Sequence, residues 1–148
     1  MKIVIIGSLV AVFSSIFKIQ TPQLHTNYTS VEEIQTPSLK ESMERGNLIY
    51  EEFCVRCHKA DGLGYKKFYP PLAGSDWLTD KRAESISAVK FGLKGLITVN
   101  GIEYKKSMSN PGIENNEIAD VMNYIMNSWE NTQEKMVTEK EVSAIQKK

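Results

Sequence analysis

Cysteine and histidine are the scarce residues of this 148-residue chain, with two of each. Two cysteines and no second Cys or His pair cannot complete a structural zinc site, which normally takes four protein ligands. A charge of one sign is also missing: 18 basic residues balance 18 acidic ones, and that argues against a general affinity for nucleic acid. Long apolar runs are absent as well. The longest, Ile3 to Phe17, has 15 residues, whereas a bilayer-spanning helix needs roughly 20. No internal repeat or low-complexity tract occurs, and 41% hydrophobic with 24% charged residues is the composition of one ordinary globular domain with appendages.

The apolar run lies between Lys2 and Lys18, the pattern of an export signal, although no small-x-small cleavage site follows Phe17. Residues 1–18 are therefore read as a signal peptide or a retained N-terminal anchor, and the protein as exported, to a periplasmic space. Without them 16 basic and 18 acidic residues remain, a mildly acidic form. Residues 19–37 carry two prolines and no sustained apolar period, which suits a linker able to hold a domain off a membrane tether. His25 falls in this linker and reads as a solvated residue.

The folded region begins at Ser38, which can cap a helix while Glu41 reaches back to its amide. Gly46, Ile49, Tyr50, Phe53 and Cys57 then recur at intervals of three and four, predicting one apolar face that ends in the cysteines. A second helix is expected over residues 81–93, with Gly92 and Gly95 as stop signals, and a third over residues 116–129 from the stripe Ile118, Val121, Met122, Ile125 and Trp129. Between them Asn100-Gly101 predicts a two-residue hairpin turn. Thr138 and Glu141 repeat the capping pattern in an otherwise polar tail, residues 132–148, so a short final helix is expected there.

Three of the four scarce residues fall within "CVRCH", Cys54 to His58. Two thiols at this spacing can add across the vinyl groups of a haem while the adjacent imidazole takes an axial position on the iron. A dithiol redox pair would instead need a strand before the motif and a helix after it, and here the helix precedes it. A chance match with a simple disulfide is the remaining reading. One covalent haem c through Cys54 and Cys57, with His58 on the metal, accounts best for the motif. Among six methionines, Met43, Met122 and Met126 fall on expected helices, Met1 is the initiator and Met136 is in the tail. Met108 alone occupies an irregular loop, "YKKSMSNPG", and is the candidate for the second axial position.

With these motifs, residues 38–131 resemble the small class I cytochromes c of bacterial type. The resemblance implies an all-α fold of three core helices around one covalent haem, with a short β-hairpin before the axial Met. It implies that Gly46 and Tyr50 cross the last core helix near Val121 and Tyr124. In "YPPLAGSDWL" it implies that the Pro70 carbonyl accepts a hydrogen bond from His58, that Leu72 walls the haem and that Trp77 contacts it. The family often places Pro directly after the ligand Met, and here Ser109 and Asn110 intervene. The function implied is electron transfer between extracytoplasmic redox proteins by a non-enzymatic carrier, either free or as a fixed subunit of a periplasmic oxidoreductase; an open sixth position would instead make a sensor or enzyme. Lys59, Lys66, Lys67, Lys105 and Lys106 lie in loops, and Glu44, Glu51, Glu52, Glu117 and Asp120 on the first and last helices, an asymmetry that would steer an acidic partner to the haem edge.

Overall fold

The computed structural model describes residues 38–133 and 135–147; the signal or anchor, the linker, His25, Glu134 and Lys148 lie outside the described residues. Helix α1 (Leu39–Phe53) starts with reciprocal capping, the Glu41 amide donating to Ser38 Oγ at 3.3 Å and the Ser38 amide to Glu41 Oε2 at 2.9 Å. Its buried line is Ser42, Gly46 and Tyr50, and along it α1 crosses α5 (Asn115–Ile125). The crossing depends on Gly46 having no side chain. A Cβ there would run into the Asp120 carbonyl and lie 2.9 Å from Tyr124 Cβ, so the two backbones could not meet.

Asp120 departs from the expected arrangement. It is buried against α1 rather than displayed as a surface acid. Ser42 Oγ donates to its Oδ1 at 2.6 Å, and Arg45 spans both oxygens at 2.6 and 2.8 Å, so the carboxylate is paired as a buried charge must be. Asn123 extends the network, donating to Ser42 Oγ at 2.8 Å.

The first helix also ends sooner than its apolar spacing implied. It breaks at Cys54, and a separate turn, α2 (Val55–His58), carries Cys57 and His58. The buried line stops at Tyr50, leaving Phe53 44% exposed because nothing extends the stripe past the break. The expected second helix is α4 (Arg82–Phe91), closed at Gly92, whose φ of 77° an L side chain rarely adopts; a short helix that the sequence reading did not anticipate, α3 (Asp76–Asp80), precedes it across Lys81. Strands β1 (Ile97–Val99) and β2 (Ile102–Tyr104) pair antiparallel, Val99 opposite Ile102, with Asn100 and Gly101 both at positive φ.

Helix α5 stops at Ile125, so Trp129 is not on its stripe as expected. Trp129 sits at φ 51°, which turns its ring back onto Tyr50 and Tyr124, 5.1 and 5.6 Å between centroids. Its Nε1 donates to the Ala60 carbonyl at 2.9 Å, and the ring covers Gly62, where a Cβ would lie 2.6 Å away. Apolar period alone does not reveal such a turn. Helix α6 (Glu139–Ala144), capped by Thr138, brings the tail into the core: Val137 and Val142 are fully buried. Asn123 pairs with Val137 as a peptide group would, accepting from its amide at 2.7 Å and donating to its carbonyl at 2.9 Å.

Candidate functional site

The polypeptide after α2 is folded back on the motif by two glycines. Gly62 and Gly64 have φ of 67° and 63°; the Gly64 amide donates to the His58 carbonyl at 3.0 Å and the Leu72 amide to the Gly62 carbonyl at 2.7 Å. This return brings the Pro70 carbonyl 3.1 Å from His58 Nδ1. A carbonyl only accepts, so Nδ1 carries the proton and Nε2 keeps its lone pair. Burial lowers the pKa of His58 and so favours the neutral imidazole, while the bond to Pro70 opposes that shift and orients the ring.

The second expected ligand is carried by backbone pairing across the chain. Leu93 and Met108 exchange both backbone hydrogen bonds, at 2.8 and 2.9 Å, just after α4 is turned by Gly92. Met108 is half-buried against the core.

His58 and Met108 line the same cavity. It is narrow, about 80 Å³, less than the roughly 300–1,000 Å³ usual for cofactor and ligand sites, so its fit to a cofactor rests on the lining and its donor atoms. Cys54, Pro70, Leu72 and Trp77 line it too, so six of the seven residues singled out in the sequence come together there. Cys57 does not: it is half-buried and outside the lining. The two cysteines do not form a disulfide with each other, and burial, then the neighbouring Cys57, pushes the Cys54 thiol up to about 11.

The remaining walls come from residues the motif reading did not single out. Ile97 and Val99 of the hairpin, Val89 of α4, and Met122 and Ile125 of α5 close the cavity. Their signal was the alternation and helical period already visible in the sequence; what it could not say is that these faces surround a space instead of filling one. Met122 is a second thioether on the cavity, fully buried in the core cluster. Ser75 and Ser85 are polar wall residues, and Ser85 Oγ is already engaged by the Lys81 carbonyl at 2.9 Å. The lining is thus an apolar slot with one imidazole, one thiol and two thioethers, the donor set and surroundings that suit an iron porphyrin.

The family profile described as Cytochrome c matches residues 43–129. The chain belongs to the cytochrome c family. It is 36% identical over 89 residues to a protein named cytochrome c-552 from Thermus thermophilus, a match covering 57% of this chain and 67% of that protein. It is 31% identical over 105 residues to the cytochrome c subunit of alcohol dehydrogenase (quinone) from Gluconobacter oxydans, covering 66% of this chain and 21% of the subunit. It is also 30% identical over 110 residues to the gluconate 2-dehydrogenase cytochrome c subunit of Pantoea cypripedii, covering 70% of this chain and 24% of that subunit. The chain thus spans about two thirds of the first relative and a quarter or less of the dehydrogenase subunits.

As in other cytochromes c, the cofactor is one covalently attached haem c and the role is electron carriage. The fold expected from the resemblance, mostly helical with a small hairpin, is the fold observed. Among the described residues no helix is long and apolar enough to cross a membrane.

Proposed function

We propose that this cytochrome c carries single electrons between extracytoplasmic redox proteins, with haem joined through Cys54 and Cys57, His58 and Met108 as its axial ligands, and Pro70, Leu72 and Trp77 shaping its surroundings. The observation that carries the reading is the meeting of His58 and a loop methionine on one apolar cavity, with His58 Nδ1 already turned to the Pro70 carbonyl at 3.1 Å. When bound, haem supplies an iron centre that changes oxidation state by one electron. His58 offers it a neutral, orientated nitrogen, and Pro70 keeps that nitrogen from rotating away. The Met108 thioether would favour the reduced state of a bound haem and would keep a small molecule from its iron. Leu72, Ile97 and Val99 exclude water from the slot. No substrate bond is made or broken, so no side chain is given a catalytic role.

The loop lysines support an acidic partner. Lys66, Lys67, Lys105 and Lys106 are exposed, and Lys59 and Lys106 lie over the rings of Tyr65 and Tyr69 at 4.7 Å each. Glu44, Glu51 and Glu52 are exposed on α1, away from these loops in sequence. The domain organisation that goes with this function is a signal or anchor at 1–18, a linker at 19–37, the haem domain at 38–131 and a tail at 132–148, with the protein periplasmic and, if residues 1–18 are retained, tethered to a membrane. A second reading, a fixed subunit of a larger oxidoreductase, is favoured by the similarity to dehydrogenase cytochrome subunits; size-exclusion of native extracts separates it from a free carrier.

Mass spectrometry and visible to near-infrared spectra of the exported protein in both oxidation states test the proposal. The expected result is one added tetrapyrrole and a sulfur-to-iron absorption in the ferric form. Met108→Ala should abolish that absorption and Met122→Leu should keep it. No added mass overturns the haem reading, and an absorption that survives Met108→Ala but not Met122→Leu overturns the ligand. Ready uptake of carbon monoxide by the wild-type ferrous protein would overturn a closed sixth position.

A further inference from the structure

The tail and the Met108 loop are linked through α4. Lys90, on its last turn, donates to three carbonyls at the end of α6: Val142 at 2.7 Å, Ile145 at 3.2 Å and Ser143 at 3.4 Å. A helix C-terminus leaves carbonyls short of intrahelical donors, here with only the Val142 carbonyl also accepting from the Ile145 amide at 3.2 Å, and a lysine ammonium has three N–H bonds with which to meet them. Three residues on, Leu93 holds Met108 by two backbone hydrogen bonds, and Gly92 lies so close beneath the loop that a Cβ would be 2.8 Å from the Met108 carbonyl and 3.0 Å from the Asn110 amide. The first residues after α4 are therefore both the seat of the Met108 loop and the continuation of the helical turn that grips the tail.

The loop has somewhere to go if that grip fails. Beside the haem cavity a second groove of about 780 Å³ runs between α4, residues 108–110 and residues 144–147. Met108 lines both spaces. Met108 thus stands between the cofactor slot and a groove lined on its far side by residues 144–147 of the tail. Arg82 anchors the other end of that wall, its guanidinium reaching Glu141 at 2.7 and 2.9 Å.

We propose that Lys90 is a positioning residue for Met108: by fastening the end of α6 to α4 it keeps the tail in place as the outer wall of the groove and so holds the thioether toward the haem. The proposal rests on Met108 being the axial ligand. It predicts that Lys90→Gln weakens iron–sulfur ligation with little loss of helix content, because the Lys90 hydrogen bonds go to the end of α6, whereas the α1–α5 crossing is built on Gly46 and Asp120.

The experiment compares wild type, Lys90→Gln, Lys90→Arg and Met108→Ala as holoproteins. Lys90→Gln should lower the ferric sulfur-to-iron absorption, lower the midpoint potential and speed carbon monoxide uptake by the ferrous form about tenfold, the factor that about 1.4 kcal/mol of lost local stability gives. Lys90→Arg should restore all three. A folded Lys90→Gln with wild-type absorption, potential and uptake overturns the proposal, leaving Lys90 as a helix cap only. If Met108→Ala retains the absorption, the ligand reading fails; if Met108→Ala loses it while Lys90→Gln does not, only the present inference fails. Should Lys90→Gln not fold, amide hydrogen exchange on the wild-type holoprotein decides: the Met108 and Leu93 amides opening together with those of α6 supports the coupling, and opening independently of them overturns it.

Discussion

The two sides of the haem cavity are held by different means. On the His58 side the ligand belongs to the motif itself: His58 follows Cys57 directly, sits on a turn of helix, and is fixed by a carbonyl only 12 residues away. On the Met108 side little is local. The methionine depends on Leu93, on the closing glycine of α4 and, through Lys90, on a helix more than 30 residues further along the sequence. On the proposed assignment, one ligand is held by residues near it in sequence and the other by tertiary structure. On that assignment, local opening on the Met108 side would leave His58 in place.

The comparison can be broken most severely at the crossing that supports the His58 side. Gly46→Leu puts a side chain where the α5 backbone already lies, and it should cost more than about 3 kcal/mol in denaturant titration, beyond ordinary overpacking. A variant that keeps wild-type stability would show that α1 and α5 can separate without loss, and that the His58 side is not the firmer one.

A smaller effect is expected on the tail. The Arg82 guanidinium bonded to Glu141 holds its carboxyl below the ordinary value of 4.5, so the folded protein takes up this proton less readily than the unfolded chain. The contact then contributes its full stability above that ordinary value and loses it as pH falls through the lower, folded-state value. Glu141→Gln should be less stable than wild type by about 1 kcal/mol at neutral pH, and the gap should close in acid. Thermal unfolding of both proteins across pH checks it, and a gap that does not narrow in acid contradicts the assignment.

The smallest change in stability belongs to the surface, where rates rather than folding should respond. Lys66→Glu with Lys67→Glu should slow reduction by an acidic partner about tenfold at low salt and much less at high salt, while Lys94→Glu, beside the Met108 groove, should leave the rate alone. Stopped-flow measurements over a range of ionic strength report this. Equal effects from the two variants would mean that the His58 side is not the contact face.

The same contrast explains how far the sequence could be read. Helix α1 from Ser38, the Asn100-Gly101 hairpin, Thr138 as a cap and the Cys54–His58 motif follow from local patterns, and all of them appear in the fold; that Pro70 and Met108 join the motif at one cavity was implied by the family resemblance and by the loop position of Met108. The break at Cys54, the turn that lifts Trp129 off α5, and the burial of Asp120 do not. Each depends on a partner distant in sequence: Asp120 is drawn inward because Ser42 and Arg45 await it, and Trp129 turns back because Gly62 leaves room for its ring. Helical period reports which side of a helix is apolar, and it is silent about where a chain bends to meet something else.

The α1–α5 crossing has a consequence for the order of events during biosynthesis. Ser42 and Asp120 are 78 residues apart, so as the chain emerges from its N-terminus, α1 and both thiols are present well before the helix that packs against them. In the finished fold Cys54 lines a slot walled by Met122 and Ile125 of α5; in the nascent chain these residues are not yet present. Covalent joining is thus easiest on a half-made polypeptide, and arrival of α5 with the tail would seal in a group already fastened.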